Sequence, residues 1–215
     1  RRSLVQKRTS IANRLQAFAR EKGLEKFRIQ AKTAHDRLRQ AVENETEELL
    51  TTSRLALYET LSKEIAVMDE LLEKEADKES DAIRLRTHPG VGVLTSLALV
   101  HTLGDVKRFR RKEEVVAFVG LDPLDHSSGE RKRIGHISKH GSRLLRCLLG
   151  QAAQTSRAPS IREHYLRVSC RRGRPKAKVA AARKLLINCY VMLRDGIDYE
   201  EFKRRGAKLA CTAGH

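Results

Sequence analysis

The sequence predicts a mainly α-helical protein in which a long coiled-coil arm is followed by a compact helical domain. Three observations support this fold class: residues 43–80 contain no proline or glycine, apolar side chains recur every three to four positions, and helix-breaking residues are clustered. With 215 residues, the chain is long enough to bury a hydrophobic core. We expect entry helices over 1–42, the arm over 43–81, the compact domain over 82–206 and a loose tail over 207–215.

The first 22 residues have the pattern of a basic amphipathic helix. Leu4, Ile11, Leu15 and Phe18 fall on one face, while arginine and lysine occupy many of the remaining positions. Gly23 follows where a C-cap is expected, because glycine readily adopts the left-handed conformation that ends a helix.

The arm is predicted from a seam of apolar residues spaced seven, four, four, three and four positions apart. The residues between them are mostly glutamate, lysine and aspartate, as is typical of a coiled-coil helix. Such a helix needs a partner for its seam: either residues 29–42, folded back as an intramolecular hairpin, or the same helix of a second copy in a dimer or tetramer. The seam residues are Leu50, Leu57, Leu61, Ile65, Met68 and Leu72.

Charge is distributed unevenly along the chain. The whole sequence has a formal net charge of +17, yet residues 43–81 hold 13 acids and 4 bases, a local charge of −9, so the remainder carries +26. A strongly basic surface favours a polyanion partner, because each neutralised phosphate releases counterions. We expect DNA to bind the basic part, with a merely solvated surface as the alternative. The acidic arm repels DNA and is expected to serve assembly.

Composition argues against several other classes of protein. Aromatic residues make up 4% of the chain and tryptophan is absent, which argues against a typical small-molecule or sugar pocket. No apolar run reaches the roughly 18 residues of a membrane span, so we expect no membrane partner and a cytoplasmic location. We expect no metal site and no cofactor in this chain. The cysteines lack zinc-site and disulfide-framework spacing and are expected to be buried, reduced thiols: Cys147, Cys170, Cys189 and Cys211.

A glycine-containing turn, Pro89-Gly90-Val91-Gly92, precedes a helix predicted from Val93 to about Leu103. Its glycines permit positive φ and leave backbone N–H groups accessible, and the unpaired N–H groups at a helix start attract phosphate. The turn resembles the hairpin of a helix-hairpin-helix DNA module. The alternative is an ordinary glycine-capped turn between packed helices. The phosphate site is favoured by the basic residues that follow: Lys107, Arg108, Arg110, Arg111 and Lys112.

A second glycine-containing loop presents Ser128 followed by Gly129. A serine on an open turn can reach a substrate, but it needs a base and neighbouring cations to act as a nucleophile. The sequence does not identify the base, and a flexible loop without chemistry is the alternative. The cations that could stabilise a phosphodiester here are Arg131, Lys132, Arg133, Lys139, Arg143 and Arg146.

The next predicted helix, with Ser142 as its N-cap, also has a basic face. At 100° per residue, one stripe collects Arg143, Arg146, Gly150, Gln154 and Arg157. Gly150 would let a nucleic-acid backbone approach closely, although a solvated face with a helix-weakening glycine is an equal alternative. The opposite, apolar face consists of Leu144, Leu145, Leu148, Leu149, Ala152 and Ala153.

Six spaced motifs together resemble the C-terminal domain of the Piv-like DEDD transposases, the insertion-sequence one-ten family. Residues 2–15 are also similar to the segment that joins this domain to the family's N-terminal half, so the resemblance covers nearly the whole chain. The motifs are Pro89-Gly90-Val91-Gly92, Arg108-Phe109, Gly120-Leu121-Asp122-Pro123, Ser128-Gly129, the stretch from Gly135 to Gly141, and Leu144-Leu145-Arg146.

This resemblance implies a protein that moves or inverts DNA segments with the help of a noncoding guide RNA. It implies that Ser128 is a nucleophile that becomes joined to DNA, with Ser127 as the second choice. The family's ribonuclease-H-like half, which holds magnesium with three Asp and one Glu, has no counterpart here, and Asp122 and Asp125 match no metal-site spacing. We therefore expect a piece or decayed copy of a transposase that binds nucleic acid but does not complete strand exchange alone.

The residues themselves leave two other functions open. In the first, the chain is a non-catalytic binding module, which would tolerate Ser128→Ala but lose affinity when Gly90 or Gly92 becomes β-branched. In the second, it is a coiled-coil assembly protein whose basic surface meets an acidic protein, which predicts nucleic-acid binding with little salt dependence.

Overall fold

The computed structural model describes residues 1–24, 27–31, 33–125 and 134–212, and its fold is mainly α-helical, as the sequence predicts. The helices are α1 (Arg2–Glu21), α2 (Ala34–Gln40), α3 (Glu45–Lys78), α4 (Ser80–Arg86), α5 (Val93–Leu103), α6 (Lys112–Val119), α7 (Arg143–Thr155), α8 (Pro159–Arg172), α9 (Arg174–Asp195) and α10 (Tyr199–Thr212). A 3-10 turn covers Val106–Arg108, and the two strands are β1 (Pro123–Asp125) and β2 (Ile134–Ile137).

The chain divides into two compact units, Arg1–Glu73 and Lys74–His215, with the division inside α3. In the first unit, α1 runs antiparallel to α3. Arg1 pairs with Asp69 at 2.5 Å, and Lys22, at the other end of α1, lies 3.0 Å from both Glu43 and Glu47. The hydrogen bond from Arg1 lowers the pKa of Asp69. The small core of this unit comes from α1, from residues 29–38 and from α3: Ala12, Leu15, Ala19, Ile29, Leu38 and Leu55.

The predicted arm is present as the 34-residue helix α3, but its covered seam differs from the predicted one. Leu50 and Leu57, both assigned to the seam, are 45% and 54% exposed, whereas Ile65 is buried as expected. The prediction weighed apolar residues alone and so missed a covered row that includes polar side chains. The covered row keeps the coiled-coil spacing of four and three and consists of Thr51, Leu55, Tyr58, Ser62, Ile65, Asp69, Leu72 and Ala76.

The second unit is organised around α9, which packs against α4, α6, α7, α8 and α10. Small side chains, Ala177 and Ala181, let neighbouring helices approach the first half of α9 closely. In its second half, Tyr190 is fully buried and its hydroxyl donates to the carbonyl of Phe109 at 2.8 Å. This hydrogen bond fixes the end of the basic segment that follows α5.

A short antiparallel ribbon flanks the predicted loop of Ser128. β1 pairs with β2 in the register Pro123 to Ile137 and Asp125 to Ile134. Strands of three and four residues are too short to give an alternating pattern in the sequence, which is why they were not predicted. His136 lies in β2.

Two other expectations need correction. α10 continues to Thr212, into the segment expected to be a loose tail. The cysteines were expected to be buried, but Cys147 and Cys170 are exposed, and only Cys189, among those whose side chains are described, is buried. Burial raises the pKa of Cys189 to about 12, so its thiol is inert. In the described part of the chain, no helix is long and apolar enough to cross a bilayer.

Candidate nucleic-acid interface

The turn between α4 and α5 is held against the C-terminal end of α7. Gly90 has φ +99°, and a Cβ there would lie 2.7 Å from both the carbonyl oxygen of Ala152 and Cα of Ser156. The Ser156 hydroxyl donates to the carbonyl of Pro89 at 2.6 Å. Gly90 is thus required by close packing and by its backbone conformation, as in a glycine-containing turn between packed helices.

Gly92 has a different environment from Gly90. It is the N-cap of α5 in an extended conformation, φ −97°, and a Cβ there would meet no atom within 4 Å. It borders a depression of about 340 Å³ at the start of α5. The N–H groups of Thr95 and Ser96 donate to the carbonyl of Gly92, whereas those of Val93 and Leu94 have no acceptor among the described residues. The lining residues are Gly90, Gly92, Val93, Leu94, Thr95, Leu148, Gln151, Ala152 and Thr155.

A buried histidine, His88, contacts the backbone of this turn. His88 is fully buried; its Nδ1 lies 3.0 Å from the carbonyl of Pro89, and its Nε2 lies 3.3 Å from the side-chain amide of Asn188. A neutral imidazole with its proton on Nδ1 satisfies both contacts, because Nε2 then accepts from the amide. Burial lowers the pKa of His88, in agreement with a neutral ring. The Tyr199 ring packs edge-on at 4.5 Å between centroids.

Two glycines allow the loop after β2 to close on the end of α6. Gly120 ends α6 with φ +75°, and a Cβ there would lie 2.7 Å from the amide nitrogen of His140. A Cβ on Gly141 would collide with the carbonyl oxygen of Phe118. Between them, Lys139 adopts φ +59°, unusual for a residue other than glycine. This close crossing fixes where the exposed Lys139 stands relative to α7.

Ser142 and Arg146 join this loop to the start of α7. Ser142 is the N-cap, as predicted, and its hydroxyl accepts from the amide of Leu145 at 3.2 Å. Nη1 of Arg146 donates to the carbonyl oxygens of Val119 at 3.0 Å and Gly141 at 2.6 Å. Arg146 therefore caps α6 and fastens the loop, in addition to adding positive charge to the surface beside it.

That surface is a groove of about 640 Å³ between α7, the loop after β2, and α9. Among the described residues that line it, four are cationic, Lys139, Arg143, Arg146 and Lys178, and none is a carboxylate. Gly150 lies in its wall, where a Cβ would meet no atom within 4 Å. The remaining lining residues are Leu121, Ile137, Cys147, Gln151, Gln154, Val179 and Ala182.

The groove combines three predicted residues of one basic stretch with a residue that the sequence analysis missed. Lys139, Arg143 and Arg146 were predicted from sequence, whereas Lys178 was not, because it lies on α9, far along the chain. Arg157 of the predicted stripe does not line the groove, since it follows the end of α7. The predicted apolar face is also narrower than expected, because Leu144 is 43% exposed. Gln151 lines both the groove and the depression at α5, so the two adjoin across α7.

The basic run after α5 lies at neither depression. Lys107, Arg110 and Arg111 are exposed, and the amide of Arg110 donates to Glu114 at 2.9 Å. The Phe109 and Phe118 rings pack together with centroids 5.4 Å apart, and the Arg108 guanidinium lies against both, 4.5 Å and 4.6 Å from their centroids. Such stacking orients a guanidinium while leaving its donors accessible.

Ser128, the predicted nucleophile, lies outside the described residues, as do Ser127, Gly129, Arg131, Lys132 and Arg133. Asp122, at the start of the same loop, accepts a hydrogen bond from the hydroxyl of Ser138. Among the described residues, no group of three His, Cys, Asp or Glu side chains is arranged to hold a metal ion.

Comparison with known proteins places a transposase family match over part of this unit. Residues 82–166 match the Transposase IS116/IS110/IS902 family. The matched segment contains the turn at Gly90, the basic run, Ser128 and all of α7, and it ends within α8. Lys178, which completes the groove, lies beyond it.

Individual relatives extend the similarity. The chain is 34% identical over 157 residues to the transposase for insertion sequence element IS1111A of Coxiella burnetii, covering 70% of this chain and 43% of that protein. It is 32% identical over 160 residues to the transposase for insertion sequence element IS1328 of Yersinia enterocolitica, covering 72% and 47%. A putative transposase of Sinorhizobium fredii, y4pF/y4sB, is 29% identical over 213 residues, covering 94% and 54%. The chain thus spans about half the length of these curated relatives.

Proposed function

We propose that this chain is the part of a DNA transposase that grips the phosphodiester backbone and carries the serine nucleophile for strand cleavage. The observation that carries the DNA-binding part is the groove beside α7, with four cations and no carboxylate among the described residues that line it. The transposase role is supported by the family match over residues 82–166 and by relatives named as transposases.

The groove has the properties that a phosphate backbone requires. Lys139, Arg143 and Lys178 extend positive charge along it, so successive phosphates can be neutralised with release of counterions. Gly150 leaves open space in the wall, so a sugar-phosphate chain can approach the helix without steric conflict. Contacts of this type position DNA without reading its sequence.

The start of α5 supplies a second, adjoining contact. Its unpaired N–H groups and the positive end of the helix dipole face the depression beside Gly92, where a phosphate oxygen would be stabilised. Because Gln151 borders both depressions, one strand could contact the groove and the turn together. The exposed bases Lys107, Arg110 and Arg111, which follow α5, add positive charge outside the two depressions.

The family resemblance implies a nucleophilic serine, and we assign that role to Ser128. The hydroxyl oxygen of Ser128 bonds to phosphorus while the bond from phosphorus to one sugar oxygen breaks. The products are a serine phosphodiester and a free sugar hydroxyl, which receives the serine proton, so no oxidant or water is consumed. Arg131, Arg133 and Arg143 offset the negative charge that develops on the phosphoryl oxygens.

Two partners are also carried over from the resemblance. The first is a noncoding guide RNA that pairs with donor and target DNA, for which the excess of positive charge gives an electrostatic basis. The second is magnesium, held by the acidic N-terminal half of the family. The described residues do not fit such a site, since they contain no cluster of three potential ligands, and no step in this chain is assigned to a metal.

Assembly of the active protein is assigned to α3. Besides the row covered by α1, α3 has exposed apolar residues on another part of its surface: Leu50, Leu57, Val67 and Leu71 are 45–59% exposed. They recur at gaps of seven, ten and four, which fits a second coiled-coil seam. We propose that this seam pairs with a second copy of the chain and brings two cleavage centres together.

The assembly proposal is tested by Leu57→Glu, with Thr52→Glu as a matched control on an exposed position away from the seam. Analytical ultracentrifugation should give a dimer or tetramer for the parent and the control, and a monomer for Leu57→Glu. A parent chain that is monomeric at tens of micromolar would contradict the proposal.

The nucleophile is tested by Ser128→Ala against Ser127→Ala in an active, full-length transposase that contains this sequence. Denaturing gels and mass spectrometry should detect a DNA–protein adduct in the parent and in Ser127→Ala, and none in Ser128→Ala. Unchanged DNA affinity in Ser128→Ala would separate loss of chemistry from loss of binding. If adducts persist in Ser128→Ala, the assignment is wrong, and the chain would then act as a binding module.

A further inference from the structure

The helical hairpin formed by α8 and α9 concentrates positive charge outside the groove. Residues 159–184 contain nine bases and a single acid, Glu163. None of these nine bases forms an ion pair with a described residue, although ion pairs are common elsewhere in the chain. Lys178 lines the groove, and the other eight cations are Arg162, Arg167, Arg171, Arg172, Arg174, Lys176, Arg183 and Lys184.

The tip of this hairpin is the most strongly basic part. α8 ends at Arg172 and α9 begins at Arg174, so the two helices are joined by Gly173 alone, which has φ +80°. Arg171, Arg172, Arg174 and Lys176 are all exposed. The packing of α8 along α9 holds these side chains on a rigid element rather than on a loop.

This arrangement opposes the stability of the hairpin itself. The first turn of α9 contains no acid, yet it carries Arg174 and Lys176 at the positive end of the helix dipole, where acids are favoured. The cations at the end of α8 add repulsion across the turn. Charges placed against local stability, without compensating acids, are expected where a ligand supplies the neutralising charge.

Further along the hairpin, like charges also lie close together. Lys184 donates to the carbonyl of Ser160 at 3.0 Å, and Nη2 of Arg167 lies 3.1 Å from Nδ1 of His164. Burial, and then the positive charges of Lys184 and Arg167, lower the pKa of His164. Burial, and then Arg167, lower the pKa of Lys184, against a smaller opposing effect of Glu163, the single acid of the hairpin. The positive potential of the hairpin is therefore not neutralised within the described chain.

We infer that the α8–α9 hairpin is a second nucleic-acid contact, separate from the groove, and that it holds the phosphate backbone of a duplex. A duplex is favoured over a single strand because the hairpin offers cations without a stacking platform. Tyr165 is the one aromatic residue in 159–184, and it is half-buried against the core. Single-strand binding surfaces combine basic grooves with exposed aromatic rings, whereas duplex backbones are held by charge alone.

The test neutralises the tip with the triple variant Arg172→Gln, Arg174→Gln and Lys176→Gln. Its matched control is Lys7→Gln, Arg14→Gln and Arg20→Gln, three exposed bases of α1. Fluorescence anisotropy measures Kd for a 30-base-pair duplex and for a single strand of equal length, between 50 and 200 mM salt. Far-UV circular dichroism and thermal unfolding check the fold of every variant.

For the tip variant we expect duplex affinity to fall by at least about 10-fold at 100 mM salt. The slope of log K against log salt should decrease by about 2 to 3, since each lost phosphate contact removes about 0.9. Its Tm should change little, because losing Arg174 and Lys176 removes cations that oppose the dipole of α9, while losing Arg172 removes a cation that the C-terminal end of α8 favours. The control should retain both affinity and slope.

Three results would overturn the inference. An equal loss in the control would mean that net charge alone matters. An unchanged duplex affinity and salt slope in the tip variant would show that the hairpin does not contact the duplex. An equal loss for the single strand would refute the assignment to duplex. The tip variant changes neither Ser128 nor the groove. A groove variant such as Gly150→Glu, measured in parallel, tests the proposed function separately.

Discussion

The two depressions that border α7 differ in what they offer a phosphate. The groove presents four cationic side chains around Gly150, whereas the depression at the start of α5 has no charged residue in its lining and offers backbone N–H groups beside Gly92. Charge on side chains acts over several ångströms and is screened by salt, while backbone donors act only at hydrogen-bond distance. Binding in the groove should therefore depend on salt more steeply than binding at the turn.

Gly90 and Gly150 have roles in the structure that their sequence context does not suggest. Gly90, in a motif typical of a phosphate turn, is needed for packing against Ala152 and Ser156. Gly150, which looks like a helix-weakening residue, lies beside open space in the groove. Substitutions at these positions separate effects on folding from effects on binding.

The largest change in binding is expected from Gly150→Glu. A carboxylate between Arg146 and Lys178 would repel phosphate and occupy the groove, so affinity for duplex DNA should fall by about 100-fold or more, or about 2.7 kcal/mol. The control Gly150→Gln has the same size without the charge and should lose about 10-fold. Both variants should fold normally in thermal unfolding. Equal losses in the two would indicate that space, and not charge, governs the groove.

Gly90→Ala should instead act on stability. The new Cβ would lie 2.7 Å from α7 backbone atoms at φ +99°, and the combined overpacking and strain should lower the free energy of unfolding by about 2–4 kcal/mol. Gly92→Ala, with open space around its Cβ, should change it by less than about 0.5 kcal/mol. Urea unfolding of the two variants measures the difference. Comparable destabilisation by both substitutions would refute the distinction between the two glycines.

A β-branched residue at Gly92 then tests the turn as a phosphate contact. Gly92→Val retains the fold in this account but hinders access to the first N–H groups of α5, so affinity should fall by about 10-fold, or about 1.4 kcal/mol. The slope of affinity against salt should hardly change, because no cation is removed. An unchanged affinity would leave the turn with a packing role alone.

A smaller effect is expected from pH at His88. Its pKa in the folded chain lies below the ordinary value of 6.5, so the unfolded chain binds a proton more readily. The stability contributed by His88 is therefore complete above about pH 6.5 and is lost as pH falls below it, by at most about 1.4 kcal/mol per pH unit. The slope of unfolding free energy between pH 7 and 5 should be shallower in His88→Gln. His164 shifts in the same direction and is common to both proteins, so the difference isolates His88.

Local signals in the sequence were sufficient to predict four of the ten helices in the described part of the chain. α1 and its end at Gly23, α5 from Val93 to Leu103 and the N-cap Ser142 follow from apolar periodicity and capping chemistry, which operate within a few residues. The long helix α3 was predicted as well, but which of its faces is covered depends on α1, and no local pattern encodes that. The short strands β1 and β2 gave no periodic signal.

The site was predictable only where its residues are neighbours in the chain. Lys139, Arg143 and Arg146 belong to one basic stretch, whereas Lys178 reaches the groove through the packing of α9 against α7. Likewise, the role of Gly90 is set by Ser156, which contacts it only in the folded unit. Tertiary contacts between distant segments decide both cases, and composition and spacing do not report them.

The central claim, that the groove beside α7 holds the phosphodiester backbone, is tested most directly by the salt dependence of duplex binding in the double variant Arg143→Gln and Lys178→Gln. Both side chains are exposed, and neither forms an ion pair with a described residue. The account predicts that the slope of log K against log salt decreases by about 2 relative to the parent, while Lys7→Gln with Arg14→Gln leaves it unchanged. A slope equal to that of the parent in the groove variant would contradict the claim.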